Sequence, residues 1–273
     1  MLSNKSQENW FASGFTVLEL IYHSAVRSVR KGHGNAIIGL MINISQTILL
    51  VAVFYGMYLF IGFSTGGIRG DFMLYLMTGV FLFMCHIKAM GAVVSSEGPT
   101  SAMMKHAPMN TIVSIGASAL GELYVQVLSM LVVLFIYHAA WKPLVIHEPL
   151  GAIVMMLVSW FSGVTIGMIF LAAKPWAPQV VNLMSQIYSR VNMFASGKMF
   201  VANSLPHMVV PYFAWNPLFH SIDQARGFAF INYNPHYTSF LYPFAFSFAA
   251  LLIGLMGEFY TRRRASLSWG AKH

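Results

Sequence analysis

NPLFHSIDQARGFAFINYNPHY, residues 216–237, decides how the chain is read. It holds one acid (Asp223), one arginine (Arg226), two Asn-Pro pairs, two histidines and five aromatic rings. Apolar blocks stand on both sides of it, Val180–Phe194 before and Phe240–Tyr260 after. A solvated loop would be rich in small polar residues and poor in rings. A polar, ring-rich segment between apolar blocks instead suits short helices that dip back against a helix bundle. Asn216-Pro217 and Asn234-Pro235 are natural starts for such helices, because Asn caps a helix and Pro fits its first turn.

Further apolar blocks precede this segment: Ala36–Phe63, Phe72–Val94, Ile112–Ala139 and Pro149–Ala172. About 20 mainly apolar residues cross a bilayer. The Val180–Phe194 block is weaker, since it contains Asn182, Gln186, Arg190 and Asn192, and must face protein or water on one side. The whole chain is 57% hydrophobic and 9% charged, with a mean hydropathy of +0.65. A soluble domain carries roughly 25% charged residues. The expected fold is therefore an all-α membrane protein with six transmembrane helices. The expected organisation is residues 1–35 as a cytoplasmic N-terminus, 36–195 as spans one to five, 196–239 as an external re-entrant helical segment, 240–260 as the sixth span and 261–273 as a basic tail.

Lysine and arginine choose the sides. With both ends cytoplasmic, ten of the sixteen basic residues fall inside and four outside, with Lys88 and Arg190 in spans. Arg262, Arg263 and Arg264, just beyond the last block, are the strongest anchor. The net charge of +8 is spread around the apolar blocks and forms no single patch, so no nucleic acid is expected as partner. Cys85 is the only cysteine, so no internal disulfide can form.

Residues 1–35 lack the pattern of a signal peptide. Over residues 10–31, Phe11, Phe15, Leu18, Tyr22, Val26 and Val29 fall on one helical face, with Glu19, His23, Arg27 and Arg30 mostly on the other. This predicts an amphipathic helix lying in the membrane interface or packed on a partner. Between the second and third blocks, residues 95–111 are broken by Gly98-Pro99 and Pro108. Between these breaks Thr100–Ala107 is expected to form a short helix, in a loop that carries Glu97, Met103, Met104, Lys105 and His106. Residues 173–179, with two prolines, form a tight turn.

Covalent chemistry has few handles. The chain lacks GxxxxGK[ST], HExxH, CxxC and GxSxG, and its ten histidines are scattered without metal-ligand spacing. No catalytic residue, metal or cofactor is expected in the chain itself. Asp223 and Arg226, three apart, share a helical face and are expected to pair. Glu122, inside an apolar block, is expected to face the bundle interior or to reach the interface. Gly163 and Gly167 form a GxxxG suited to close helix packing.

Residues 196–230, SGKMFVANSLPHMVVPYFAWNPLFHSIDQARGFAF, resemble a stretch of the type-2 ABC transporter permeases. Ser196-Gly197, Leu205-Pro206, Asn216-Pro217-Leu218, His220, Asp223 and Arg226 fill the places of that pattern. Lys198-Met199-Phe200 departs from it, where many members have plain apolar residues and a proline. The architecture is similar over most of the chain, and within the family the likeness is to exporters of capsular polysaccharide, O-antigen and related glycans.

The resemblance implies a permease in a bacterial inner membrane, working beside a second copy of itself. It implies a separate ABC ATPase subunit dimer that binds the ATP, and a polysaccharide substrate, free or lipid-linked. The path would be lined by Trp215, Phe219, His220, Asp223, Arg226, Phe228, Tyr233 and Tyr237. The 95–111 loop would couple to the ATPase. A membrane enzyme acting on lipid-linked sugars, with Asp223 and His220 or His236 as acid and base, is the alternative. A channel or secondary carrier built on Glu122 is a third reading.

Overall fold

The computed structural model describes residues 19–25, 36–61, 70–96 and 111–270. The described residues are helical, with no strand among them. The elements are α1 (Ala36–Ile61), α2 (Phe72–Val94), α3 (Thr111–Ala140), α4 (Pro149–Ala173), α5 (Pro178–Ala195), a 3-10 turn (Ala202–Ser204), α6 (Pro211–Ala214), α7 (Pro217–Ala229) and α8 (Leu241–Gly270). Of the amphipathic segment expected at residues 10–31, only the helical residues 19–25 are described, with Glu19 and His23 3.8 Å apart on an exposed face. Ile21 there reaches α3 beside Gly116. The coupling residues Glu97, Met103, Met104, Lys105 and His106 lie outside the described residues.

Among the described residues, five helices are long and apolar enough to cross a membrane by length and composition: α1, α2, α3, α4 and α8. The α5 helix, with Asn182, Gln186 and Arg190 on its exposed surface, is not one of them. Burial separates the five. The apolar windows of α2 and α4 are 72% and 61% buried, against 22–28% for α1, α3 and α8. So α2 and α4 form the centre, and the other three present apolar faces outward as a lipid-bathed bundle does.

Small residues bring the central pair together. A β-carbon on Gly163 would strike the carbonyl oxygen of His86, and one on Gly167 would lie 2.9 Å from the oxygen of Met90. The GxxxG is thus the contact face of α4 on α2. Ser159 Oγ donates to Leu82 O at 2.8 Å across the same seam. On the far side of α4, Gly254 of α8 faces Met168 and Gly257 faces Ala172.

Polar groups fasten the helix ends. Asp71 caps α2 by accepting from Met73 N and also accepts the hydroxyl of Tyr137 near the end of α3. At the other end, Lys174 Nζ donates to Val94 O at 2.7 Å, satisfying a carbonyl at the C-terminus of α2. Trp176 stacks on Tyr260 beside it.

The last helix runs unbroken from Leu241 to Gly270, so the helix continues past the apolar block through the Arg262–Arg264 cluster. Arginine is a good helix former and neither Gly nor Pro intervenes before Gly270. Thr261 Oγ1 donates to Ala172 O and accepts from Trp176 Nε1, which holds that part of α8 against the end of α4.

Candidate functional site

The segment from Ser196 to Phe240 folds back onto the end of the bundle where α2 and α4 begin. Its course is set by Gly197, the one described residue with positive φ (74°), which turns the chain at the end of α5. The turn then lies on α2 at Gly79. A β-carbon on Gly79 would be 2.8 Å from Lys198 O and 2.9 Å from the Arg226 guanidinium. Only a glycine at 79 allows so close an approach.

Arg226 is the clamp of this turn. Its Nη1 donates to Gly197 O at 2.8 Å and to Phe200 O at 2.7 Å, and its Nη2 donates to Lys198 O at 2.7 Å. The guanidinium plane stands 4.2 Å over the Tyr75 ring of α2. Both partners are buried. Asp223, expected to pair with Arg226, does not: its carboxylate accepts from Tyr233 Oη at 2.5 Å and from Thr238 Oγ1 at 2.8 Å. The pair assumed from the i, i+3 spacing is replaced by two separate fastenings. Arg226 ties α7 to the residues before it, and Asp223 ties it to the residues after it. Burial, reinforced by the Asp223 charge, pushes the Tyr233 hydroxyl pKa up, so Tyr233 stays a donor.

Asn216 starts α7 as read from its sequence. Its Oδ1 accepts from Leu218 N at 3.0 Å, and Pro217 occupies the first turn. The amide also donates to Asn192 Oδ1 at 2.8 Å and to Ala195 O at 3.1 Å, locking α7 to the end of α5. Asn234-Pro235 does not start a helix: α8 begins at Leu241. Asn203 Nδ2 donates to Asn234 O at 2.7 Å and Asn203 Oδ1 accepts from His236 N, which pins these residues as an irregular turn.

His220 bridges the segment. Its Nε2 donates to Ala214 O at 2.7 Å and its Nδ1 accepts from Ser239 N at 2.9 Å, which fixes the neutral tautomer. Burial lowers its pKa, against smaller raising effects of the Ala214 bond and the Asp223 charge. Tyr242, near the start of α8, packs on the His220 ring and donates to Trp215 O at 2.7 Å.

The eight residues expected along a path divide by exposure. Phe219, His220, Asp223, Arg226 and Tyr233 are buried, and Phe228 is half-buried. Trp215 and Tyr237, at 52% and 38% exposure, present their rings outward, together with Tyr212. Five of the eight thus build the segment, while Trp215 and Tyr237 are the two open to a ligand.

Lys198 was not among the expected site residues, though it marks the departure from the permease pattern. It is 1% exposed, with Nζ 3.3 Å from the centroid of Phe83 and 5.1 Å from that of Phe54. Its nitrogen has no hydrogen-bond partner. Taking an ammonium out of water costs several kcal/mol even after relaxation. A ring face returns about 2 kcal/mol when desolvated. Burial therefore wins and lowers the Lys198 pKa to about 7.

A second polar chain crosses the core. His86 on α2 bonds through Nδ1 to Ser162 Oγ and Ser159 O, and through Nε2 to Tyr188 Oη at 2.9 Å on α5. Elsewhere Gln126 Nε2 donates to Glu122 Oε1 at 2.7 Å and to Asn43 Oδ1 at 3.2 Å, so Glu122 belongs to a link between α3 and α1. No cluster of three His, Cys, Asp or Glu suited to a metal occurs among the described residues. No protein-family model matches the chain, and no curated protein matches it.

Proposed function

We propose that the chain is the membrane-spanning permease subunit of an ATP-driven exporter that moves a polysaccharide, of capsular, O-antigen or related type, across a bacterial inner membrane. The observation that carries this reading is the folded-back segment from Ser196 to Phe240, clamped on α2 by Arg226 and showing the open rings of Tyr212, Trp215 and Tyr237. Flat ring faces suit a glycan that slides, since a conducting path must bind weakly and at many sites.

The α5 helix supports a second copy. Asn182, Gln186 and Arg190 recur every four residues along its exposed surface, beside exposed Val180, Leu183, Ile187 and Val191. Such a helix crosses a bilayer only with its polar stripe facing water or protein. With α5 as the sixth span, both chain ends lie in the cytoplasm and the Ser196–Phe240 segment is external. Two copies then place two polar stripes around one path. ATP is bound by a separate ATPase subunit dimer, which acts on the 95–111 loop.

The enzyme alternative draws less support from the bonding. Both ring nitrogens of His220 and both carboxylate oxygens of Asp223 are engaged within the chain. Glu122, the residue of the carrier alternative, is bonded to Gln126. Deleting the chain from its native cell tests the export reading. Loss of one surface glycan with accumulation of the same glycan inside is expected. Unchanged surface glycans would overturn it.

A further inference from the structure

The Ser196–Phe200 turn is held to α2 and α7 through backbone contacts, with the side chain of Met199 packed on the core and that of Phe200 on Phe219. Arg226 takes three of its carbonyls, and Gly79 gives room for Lys198 O. The Lys198 side chain is the one ionisable group of this turn. It runs from this turn into the bundle and ends on Phe83, the twelfth residue of α2, roughly 16 Å along the axis from where α2 begins.

A buried amine without a partner has two ways to avoid an uncompensated charge. It can gain an anion, or it can lose its proton. The carboxylate on the neighbouring helix, Asp223, is taken by Tyr233 and Thr238. Ring faces of Phe83 and Phe54 cover the nitrogen. The cleft beside Met199, lined by Phe54, Tyr58, Phe72 and Tyr75, has about 20 Å³ of free space, and Lys198 is not part of its wall. An anion has no evident seat at the nitrogen, which leaves loss of the proton.

We propose that Lys198 is a titratable latch: with its amine neutral the Ser196–Phe200 turn rests on α2, and protonation of the amine unseats that turn. Arg226 on α7 and, beside Met199, Tyr58 on α1 and Tyr75 on α2 meet the turn, and the elements around it also carry His86 on α2, Tyr188 on α5, His220 and Asp223 on α7, and Tyr233 beyond it. His86, Tyr188, His220, Asp223 and Tyr233 all have hydrogen-bond partners within the chain, whereas Lys198 Nζ has none. Burial sets its pKa at about 7, so the latch responds near neutral pH. The latch rests on the fold alone and stands whatever the chain transports.

The test uses the full chain in lipid nanodiscs carrying Met199→Cys, with and without Lys198→Met. The native Cys85 is buried. The rate at which a water-soluble maleimide labels position 199 is compared at about pH 6 and about pH 9, on either side of the switch and below the pKa of an ordinary lysine. Dividing the rate with Lys198 by the rate with Lys198→Met cancels the pH dependence of the thiol itself. The expected ratio is at least about threefold higher at the lower pH, because charge destabilises the buried amine and not the methionine. A ratio equal at the two values overturns the latch. So does a Lys198→Met protein that fails to fold, since Met is the apolar stand-in for the neutral, seated amine.

Discussion

Asp223 and Arg226 stand one turn apart on α7 and share no bond; each reaches a different part of the chain. Arg226 holds the carbonyls of Gly197, Lys198 and Phe200, and Asp223 holds the hydroxyls of Tyr233 and Thr238. Exchanging the two charges therefore restores nothing. A carboxylate at 226 would meet three carbonyl oxygens, and a guanidinium at 223 would meet two hydroxyls. Arg226→Gln is expected to cost on the order of 3 kcal/mol or more, since buried acceptors lose charge-assisted bonds. Asp223→Asn, which keeps one acceptor oxygen, is expected to cost about 1–2 kcal/mol. The double exchange should be worse than either single change by thermal unfolding. Rescue by the exchange would show that the two residues pair after all.

The glycines separate contact from propensity. Gly79→Ala places a β-carbon 2.8 Å from Lys198 O, and Gly163→Ala drives one into the backbone of His86. Backbone cannot swing aside as a side chain can, so each is expected to cost about 1–3 kcal/mol or more. Gly56→Ala and Gly91→Ala meet nothing within 4 Å and sit inside helices. These should be neutral or stabilise by up to about 1 kcal/mol. Thermal midpoints of the four variants check the contrast, and equal losses in all four would contradict it.

Asn216 does two jobs that substitution can split. Asn216→Asp keeps the oxygen that caps Leu218 N but loses the amide that bonds Asn192 and Ala195. Asn216→Ala loses both. Loss of the cap alone is worth about 1 kcal/mol. The expectation is that Asp is also harmful, because it sets an oxygen against the Asn192 oxygen and the Ala195 carbonyl. If Asn216→Asp is as stable as the wild type, the link from α7 to α5 contributes little.

Much of this framework was legible in the sequence, and for a physical reason. A span is a local property: roughly 20 apolar residues suffice to mark it. Phe72–Val94 is bounded as its composition suggests, and Asn216-Pro217 starts α7 because cap and proline act within one turn. The misreadings at Arg226 and Asn234 involve partners distant in the chain. Arg226 is bonded to carbonyls 26–29 residues before it, so spacing to Asp223 misled. Asn234-Pro235 starts no helix because Asn203, 31 residues earlier, holds it in a turn. Lys198, in a polar-looking stretch, gives no local hint that it points into the bundle. Nothing at Gly79 signals that a turn more than a hundred residues later rests on it.

Lys198 also makes a stability prediction with a definite sign. Its folded pKa, about 7, lies below the ordinary 10.5, so between these values the unfolded chain binds more protons. Stability then rises with pH through that window and is lowest, and level, below about 7. Lys198→Met removes this dependence. It should stabilise the protein by on the order of 3 kcal/mol at neutral pH and below, with the gain shrinking as pH rises. Thermal midpoints of both proteins across the range check it, and parallel profiles would contradict it.

Under the proposed reading ATP is bound by a separate subunit, and the sequence of this chain holds no GxxxxGK[ST] motif. The most direct measurement is to isolate the tagged full chain from its native membrane in mild detergent, identify what accompanies it by mass spectrometry, and assay ATP hydrolysis. The account predicts a second polypeptide bearing that motif, in equal amount, with ATPase activity that comes and goes with it. An intact, folded chain that is recovered repeatedly with neither the motif-bearing partner nor ATP hydrolysis would contradict it.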